Sequence, residues 1–303
     1  MALKLAPIVL FVYNRPYHTQ KTVEALKKNK LSEESELIIY SDAAKNEEAI
    51  GFVNEVRLYI KAIIGFKKIT IIEREKNWGL ADSILDGVSS NINKYGKIIV
   101  LEDDLVTSCN FLKFMNEGLD SFEAREDIFS VTGFNFPEAQ LKIPNTYKDE
   151  VYLSYRCMSW GWATWKDRWN KVDWDMKDFD SFSSNTDKIK LFNRGGEDLF
   201  PMLRSQLNGK IDSWAIRFCF GHFVNNAYCV YPVKSLINNE GFDGSGVHCG
   251  VDKSNKFKND LFEDKDLEIN KNILLNKEII DKFYLINKKS FFRRVKNLIR
   301  RYI

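Results

Sequence analysis

The chain has 303 residues, 45 of them Lys or Arg and 42 Asp or Glu, for a formal net charge of +3; so small a difference gives no electrostatic case for a nucleic-acid partner. Hydrophobic residues make up 44% and charged ones 29%, which excludes disordered and fibrous classes and leaves apolar material for one large domain or two small ones. Five cysteines without a C-x-x-C pair argue against a disulfide framework and a structural zinc site, and favour a reducing compartment.

Residues 6–13 form the first apolar, β-rich run. It is short, lacks a small-residue cleavage site and runs into Asn14-Arg15-Pro16, so it reads as a buried strand and not as a signal peptide. Similar runs follow at 36–41, 68–73, 97–101 and 128–132, separated by helical patterns at 17–29, 46–64, 80–93 and 110–125. This alternation predicts an α/β fold, an open and mostly parallel Rossmann-like sheet with helices on both faces. In such sheets ligands bind beyond the carboxyl ends of the strands. The unusual residues of this chain fall there: Asn14-Arg15-Pro16 after the first strand, Ser41-Asp42 after the second, Asn77-Trp78-Gly79 after the third and Glu102-Asp103-Asp104 after the fourth.

The last of these is the most informative. A strand buried on both faces, Ile98 to Leu101, can carry three carboxylates only at its end and opposite a cation. Strand alternation puts Glu102 and Asp104 on one face and Asp103 on the other. Hard oxygens suit Mg2+ or Mn2+, which take one or two protein carboxylates and fill the remaining positions from substrate phosphates. A solvated acidic turn is the alternative. There is no Walker A loop and no G-x-G-x-x-G after the first strand, which speaks against P-loop NTPases and Rossmann dehydrogenases.

From about residue 151 the character changes. Five tryptophans fall between Trp160 and Trp174; they read either as core or as a platform for a carbohydrate or nucleoside ring. A helical stretch at 196–209, the segment Asp212-Ser213-Trp214, a strand at 228–232 and a Gly-rich loop at 241–248 follow. Residues 252–276 mix both charge signs and read as a polar linker or exposed helix. Residues 287–303 hold seven Lys or Arg and no acid, with apolar residues at helical spacing; this is either a helix for an anionic membrane surface or one packed on the domain. No run of about 18 apolar residues suggests a membrane span. The expected organisation is an α/β half that carries the strand-end residues (1–135), a tryptophan-rich half of the same domain (136–250), and a charged linker with a basic amphipathic helix (251–303).

As an ordered set, Pro7 to Pro16, Asp42, Asn77-Trp78-Gly79-Leu80-Ala81, Leu101 to Leu105, Ser159-Trp160-Gly161-Trp162, Asp212-Ser213-Trp214 and Asp243-Gly244-Ser245-Gly246 resemble the GT-A fold glycosyltransferases. The likeness is to a bacterial group related to the N-acetylglucosaminyltransferase I family of N-glycan branching, over roughly residues 7–250. It implies that Asn14 and Arg15 lie under the nucleotide, with Arg15 near the phosphates, and that Asp42 accepts a hydrogen bond from the base. Asn77 and Gly79 would flank base and ribose, Glu102 and Asp103 would contact sugar and ribose, and Asp104 would bind Mn2+ or Mg2+. Asn14 and Asp42 could instead cap helices. The resemblance also favours Asp212 as the base of an inverting transfer, with Asp198 and Asp243 as rivals. His248 is either a second metal ligand or a surface histidine, and Trp160, Trp162 and Trp214 are the candidate sugar platform.

The function expected is transfer of an N-acetylhexosamine or hexose from a UDP-sugar to a glycan or lipid-linked glycan during bacterial surface polysaccharide synthesis. The protein would be cytoplasmic and peripheral on the inner membrane face. A sugar nucleotidyltransferase would need a basic Gly-rich first loop, which Asn-Arg-Pro is not; a non-catalytic carbohydrate-binding module would leave the acidic triplet unexplained.

Overall fold

The computed structural model describes residues 4–246 and 256–288, so His248 and the basic segment 289–303 lie outside the described residues. In chain order the first half comprises β1 (Ile8–Val12), α1 (Pro16–Lys27), β2 (Glu36–Ser41), α2 (Glu47–Lys61), β3 (Lys68–Glu73), α3 (Leu80–Tyr95), β4 (Lys97–Glu102), β5 (Leu105–Thr107), α4 (Phe111–Ser121) and β6 (Ile128–Thr132). The second adds β7 (Val151–Ser154), β8 (Trp162–Trp165), α5 (Lys166–Asn170), α6 (Phe179–Ser183), α7 (Thr186–Phe192), α8 (Leu199–Leu207), α9 (Trp214–Val224), β9 (Tyr228–Pro232), β10 (Ile237–Asn239) and α10 (Lys277–Ile286).

Local chemistry sets several of these boundaries. Pro16 opens α1, where its missing N–H is harmless. Asn46 caps α2 by accepting from the Ala49 N–H, with Glu47 and Glu48 in the first turn. Gly96 closes α3 in the left-handed region at φ 83°.

The fold is α/β, as the alternation implied. One eight-stranded sheet runs in the order β3-β2-β1-β4-β8-β6-β9-β7. Its first four strands are mutually parallel. Beyond them β8 is antiparallel to both β4 and β6, β9 is parallel to β6 and β7 is antiparallel to β9. The tryptophan cluster therefore supplies an inserted central strand that a sequence reading of helices and parallel strands does not reveal. All four residues of β8 are buried, because α-helical layers cover both of its faces. A small second sheet pairs β10 with β5.

The charged segment after 250 differs from expectation. Its described part, 256–276, forms no helix and is strapped along the domain: Asn238 and Asn259 exchange two hydrogen bonds, and Asp266 pairs with Lys30 and Lys113. Leu267 and Ile273 are buried in the core. The described helix that follows, α10, covers 277–286, ahead of the basic run, and buries Ile279 and Phe283. Among the described residues no helix is long and apolar enough to cross a membrane.

His222, in α9, has no exposure. Its Nδ1 lies 2.8 Å from the Phe218 carbonyl, which can only accept, so Nδ1 carries the proton and Nε2 accepts from the Ser130 hydroxyl 2.7 Å away. Burial holds the imidazole down at about 4, against an ordinary 6.5, although the Phe218 carbonyl works the other way. Between those two pH values the unfolded chain binds a proton that the folded one refuses. Stability therefore falls as pH drops through this window, by up to about 3 kcal/mol from this residue. Urea unfolding at pH 7 and pH 4.5 checks this: His222→Gln should lose about 2 kcal/mol less than the wild type over that interval, and parallel losses would refute the assignment.

Candidate active site

β4 carries its apolar residues to Leu101, then Glu102 ends the strand and Asp103-Asp104 form a turn into β5. That turn breaks the alternation expected of the triplet. Asp103 and Asp104 do not separate onto opposite faces; both converge on Arg15, whose Nη2 donates to Asp103 Oδ1 and lies 2.9 Å from Asp104 Oδ2. Arg15 is the N-cap residue of α1, at the carboxyl end of β1. Because β2 and β4 flank β1 on opposite sides, this is the topological switch point of the parallel half, where a crevice opens.

Asp103 and Asp104 are 4% and 6% exposed, so their charge is held in the protein and not in water. Thr22 donates to the Asp103 carbonyl at 2.8 Å and ties α1 to the turn. Burial raises the Asp103 carboxyl; Arg15 pulls it back without cancelling the shift. Glu102, half-buried beside them, is raised well above the usual carboxylate range by burial first and then by Asp104 and Asp103. Burial works against the Arg15 charge too, but the two carboxylates outweigh it and keep the guanidinium protonated. At this turn three buried polar atoms have no hydrogen-bond partner among the described residues: Asp103 Oδ2, Asp104 Oδ1 and Arg15 Nη1. Two free carboxylate oxygens beside a free guanidinium nitrogen can receive a cation and an anion together.

The Asp42 carboxylate is already engaged within the protein. It accepts from the N–H groups of Ala43, Trp78 and Gly79, each at 2.9 Å, and from Asn77 Nδ2 at 3.0 Å. Both oxygens already take at least two donors, so Asp42 works as the clasp that fixes residues 77–79 to the end of β2. Gly79 is in the left-handed region at φ 75° and begins α3, and Asn77 Nδ2 also donates to the Ala43 carbonyl at 2.8 Å. The clasp presents Trp78, 38% exposed, with the Arg74 guanidinium 3.9 Å from its ring centroid and Arg74 itself paired to Asp86. Asn14, half-buried, leads from β1 to Arg15.

The second half brings its loop, not its tryptophans, to the acids. Glu240 N–H donates to the Asp104 carbonyl at 2.8 Å, and a Cβ on Gly241 would fall 2.2 Å from Asp104 Oδ2, so any side chain there would have to displace that carboxylate. Asp243 Oδ2 lies 3.1 Å from His18 Nε2, and its other oxygen accepts from the Ser245 N–H and hydroxyl. Burial alone would raise the Asp243 carboxyl, but Ser245 and then His18 leave it lowered. Asp198 is engaged in a two-pronged pair with the half-buried Arg156, both contacts at 2.9 Å. Asp212, two residues before α9, is exposed, accepts no hydrogen bond among the described residues and lies 4.0 Å from Arg217.

The proposed sugar platform is corrected for two of its three residues. Trp162 and Trp214 are 1% and 4% exposed; their rings stack on each other at 4.8 Å, and Trp169 stacks on Trp162 at 5.7 Å. Both faces that a sugar would need are used inside the core. Trp160, half-buried, packs edge-on against Phe134 and Phe242. His18 and Lys21 escaped the sequence reading, although their spacing from Arg15 along α1 was visible in it. Among the described residues no group of three or more His, Cys, Asp or Glu gathers around a common point.

No protein-family model and no curated protein matches the chain. Solved structures similar to it include TarS of S. aureus (TM-score 0.44, 9% identity, over 78% of this chain and 37% of that one). Others are S. aureus TarS 1-349 in complex with UDP (0.43, 10%, over 77% and 59%) and the mannosyltransferase PcManGT from Pyrobaculum calidifontis in complex with GDP-Man and Mn2+ (0.39, 10%, over 57% and 50%). The chain thus spans between 37% and 59% of the length of these structures.

Removing Arg15 leaves two carboxylates facing one another in a buried turn. Arg15→Gln should cost about 3 kcal/mol in urea unfolding, and millimolar Mn2+ should raise the melting temperature of the variant more than that of the wild type. Equal Mn2+ shifts would show that the turn does not receive a cation.

Proposed function

We propose that the protein is a GT-A type glycosyltransferase that takes a UDP-sugar, an N-acetylhexosamine or hexose donor, and transfers the sugar with inversion to a glycan or lipid-linked glycan acceptor. The observation that carries this reading is the Asp103-Asp104 turn at the switch point, with two unpartnered carboxylate oxygens beside the unpartnered Arg15 Nη1. The donor set fits Mn2+ or Mg2+: both are hard cations content with one or two protein carboxylates and with phosphate and water for the rest. When bound, such a cation would offset charge on the departing diphosphate. Asp104, and with it Asp103, would hold it; Arg15 would donate from Nη1 to a phosphate oxygen; the clasped Asn77-Trp78-Gly79 loop would border the nucleoside.

For the base, the geometry favours Asp212 over its rivals. Asp198 is spent on Arg156 and Asp243 on His18 and Ser245, whereas Asp212 keeps open oxygens. Trp214 stacks on Trp162, which sits opposite Val100 two residues before Glu102, and this chain of contacts supports the choice. In the step itself Asp212 takes the proton of an acceptor hydroxyl as that oxygen bonds to the anomeric carbon and the bond to the diphosphate breaks. Surface polysaccharide synthesis on the inner membrane face, with residues 287–303 at an anionic surface, remains part of the proposal.

Calorimetry with UDP, GDP and CMP, with and without Mn2+, tests the donor. UDP binding should require the metal and be lost in Asp104→Ala. Asp212→Asn should leave UDP binding intact while slowing sugar transfer about 100- to 10,000-fold; full activity in either variant would refute the role given to it.

A further inference from the structure

Arg15, His18 and Lys21 recur every three residues along the start of α1, so one side of the helix carries three basic groups. Each meets an acid. Arg15 meets Asp103 and Asp104, His18 Nε2 lies 3.1 Å from Asp243, and Lys21 Nζ lies 3.7 Å from Glu240. Glu240 and Asp243 belong to one short segment leaving β10, held to the acidic turn through the Glu240 N–H and through Gly241 packed on Asp104. Phe242 anchors the same segment by packing on Trp160 and Phe257, with ring centroids 5.6 and 5.2 Å away.

His18 is thus covered, with its side chain 11% exposed, while the Asp243 that covers it is 49% exposed. It lies one helical turn from Arg15, whose Nη1 has no partner and which pairs with a turn that holds two unpartnered carboxylate oxygens. A carboxylate is the protein's nearest equivalent of a phosphate oxygen, and the first turn of a helix adds its own attraction for either. We propose that Asp243 occupies, at His18, the position of a phosphate oxygen of the donor, so that the 240–243 segment competes with the nucleoside diphosphate for the first turns of α1. His18 is then a donor-binding residue and Asp243 its internal competitor; Phe242 keeps the displaced segment attached. The inference rests on the nucleotide-sugar reading above.

A double-mutant cycle read by calorimetry with UDP and Mg2+ tests it, with uridine as control. Asp243→Asn keeps the acceptor for Ser245 but gives up the charge, and it should tighten UDP binding about five-fold, the worth of one partly exposed ion pair. His18→Gln should weaken it to a similar degree, and the double variant should match His18→Gln, since there is no longer a contact to compete for. Uridine binding should not move. Weaker UDP binding by Asp243→Asn, or the same tightening in the His18→Gln background, overturns the competition. Failure of the wild type to bind UDP with either Mg2+ or Mn2+ overturns the donor reading itself, a result distinct from normal binding that these substitutions leave unchanged.

Discussion

The crevice depends on one electrostatic constraint: two aspartates buried in consecutive positions must be compensated, and a single arginine does most of it. Isolated, each carboxylate would cost several kcal/mol to bring out of water. Arg15 relieves this only because β1 and β4 are adjacent in the sheet and their carboxyl ends therefore lie side by side. Thr22 adds a second tie between α1 and the turn. The pairing is incomplete in a particular way, since each partner retains one buried polar atom without a bond. A purely structural ion pair would be expected to use those atoms; here they are left without a bond.

Around that centre the chain builds rigid borders from very different material. On one side the Asp42 clasp turns a polar loop into a fixed edge by taking up its N–H groups. On the other, stacked indoles of Trp162, Trp169 and Trp214 lock β8 and α9 together. Large flat rings with few rotatable bonds suit that task, because little conformational freedom is lost when they are buried. The same stacking removes two of them from contact with any ligand.

Much of the first half was legible in the sequence because apolar runs and helical periodicity there agree with the fold. Strands 36–41, 68–73 and 128–132 fall where their composition put them. The strand-end residues gather at one edge for the same reason. What sequence could not give was contact between distant segments. The Trp162–Trp165 strand has no composition of its own that distinguishes it from an aromatic core segment, and the strap at 256–276 buries few residues among many charges. Asp42 looked like a ligand for a base because its oxygens cannot be counted until the backbone of 77–79 is in place. Asp198 and Asp243 likewise remained rivals to Asp212 while Arg156 and His18 were unplaced.

The position of β8 also bears on how the chain comes into being. Its strand enters the sheet between β4 and β6, both of which precede it in sequence. During synthesis from the amino terminus, β4 is complete by residue 102 but its outer edge stays unpaired until residue 165 has emerged. An apolar strand with open hydrogen-bonding groups is a site for mispairing with other chains. The three acids at its end and the lysine at its start bracket that edge with charge, the pattern that opposes such mispairing during assembly.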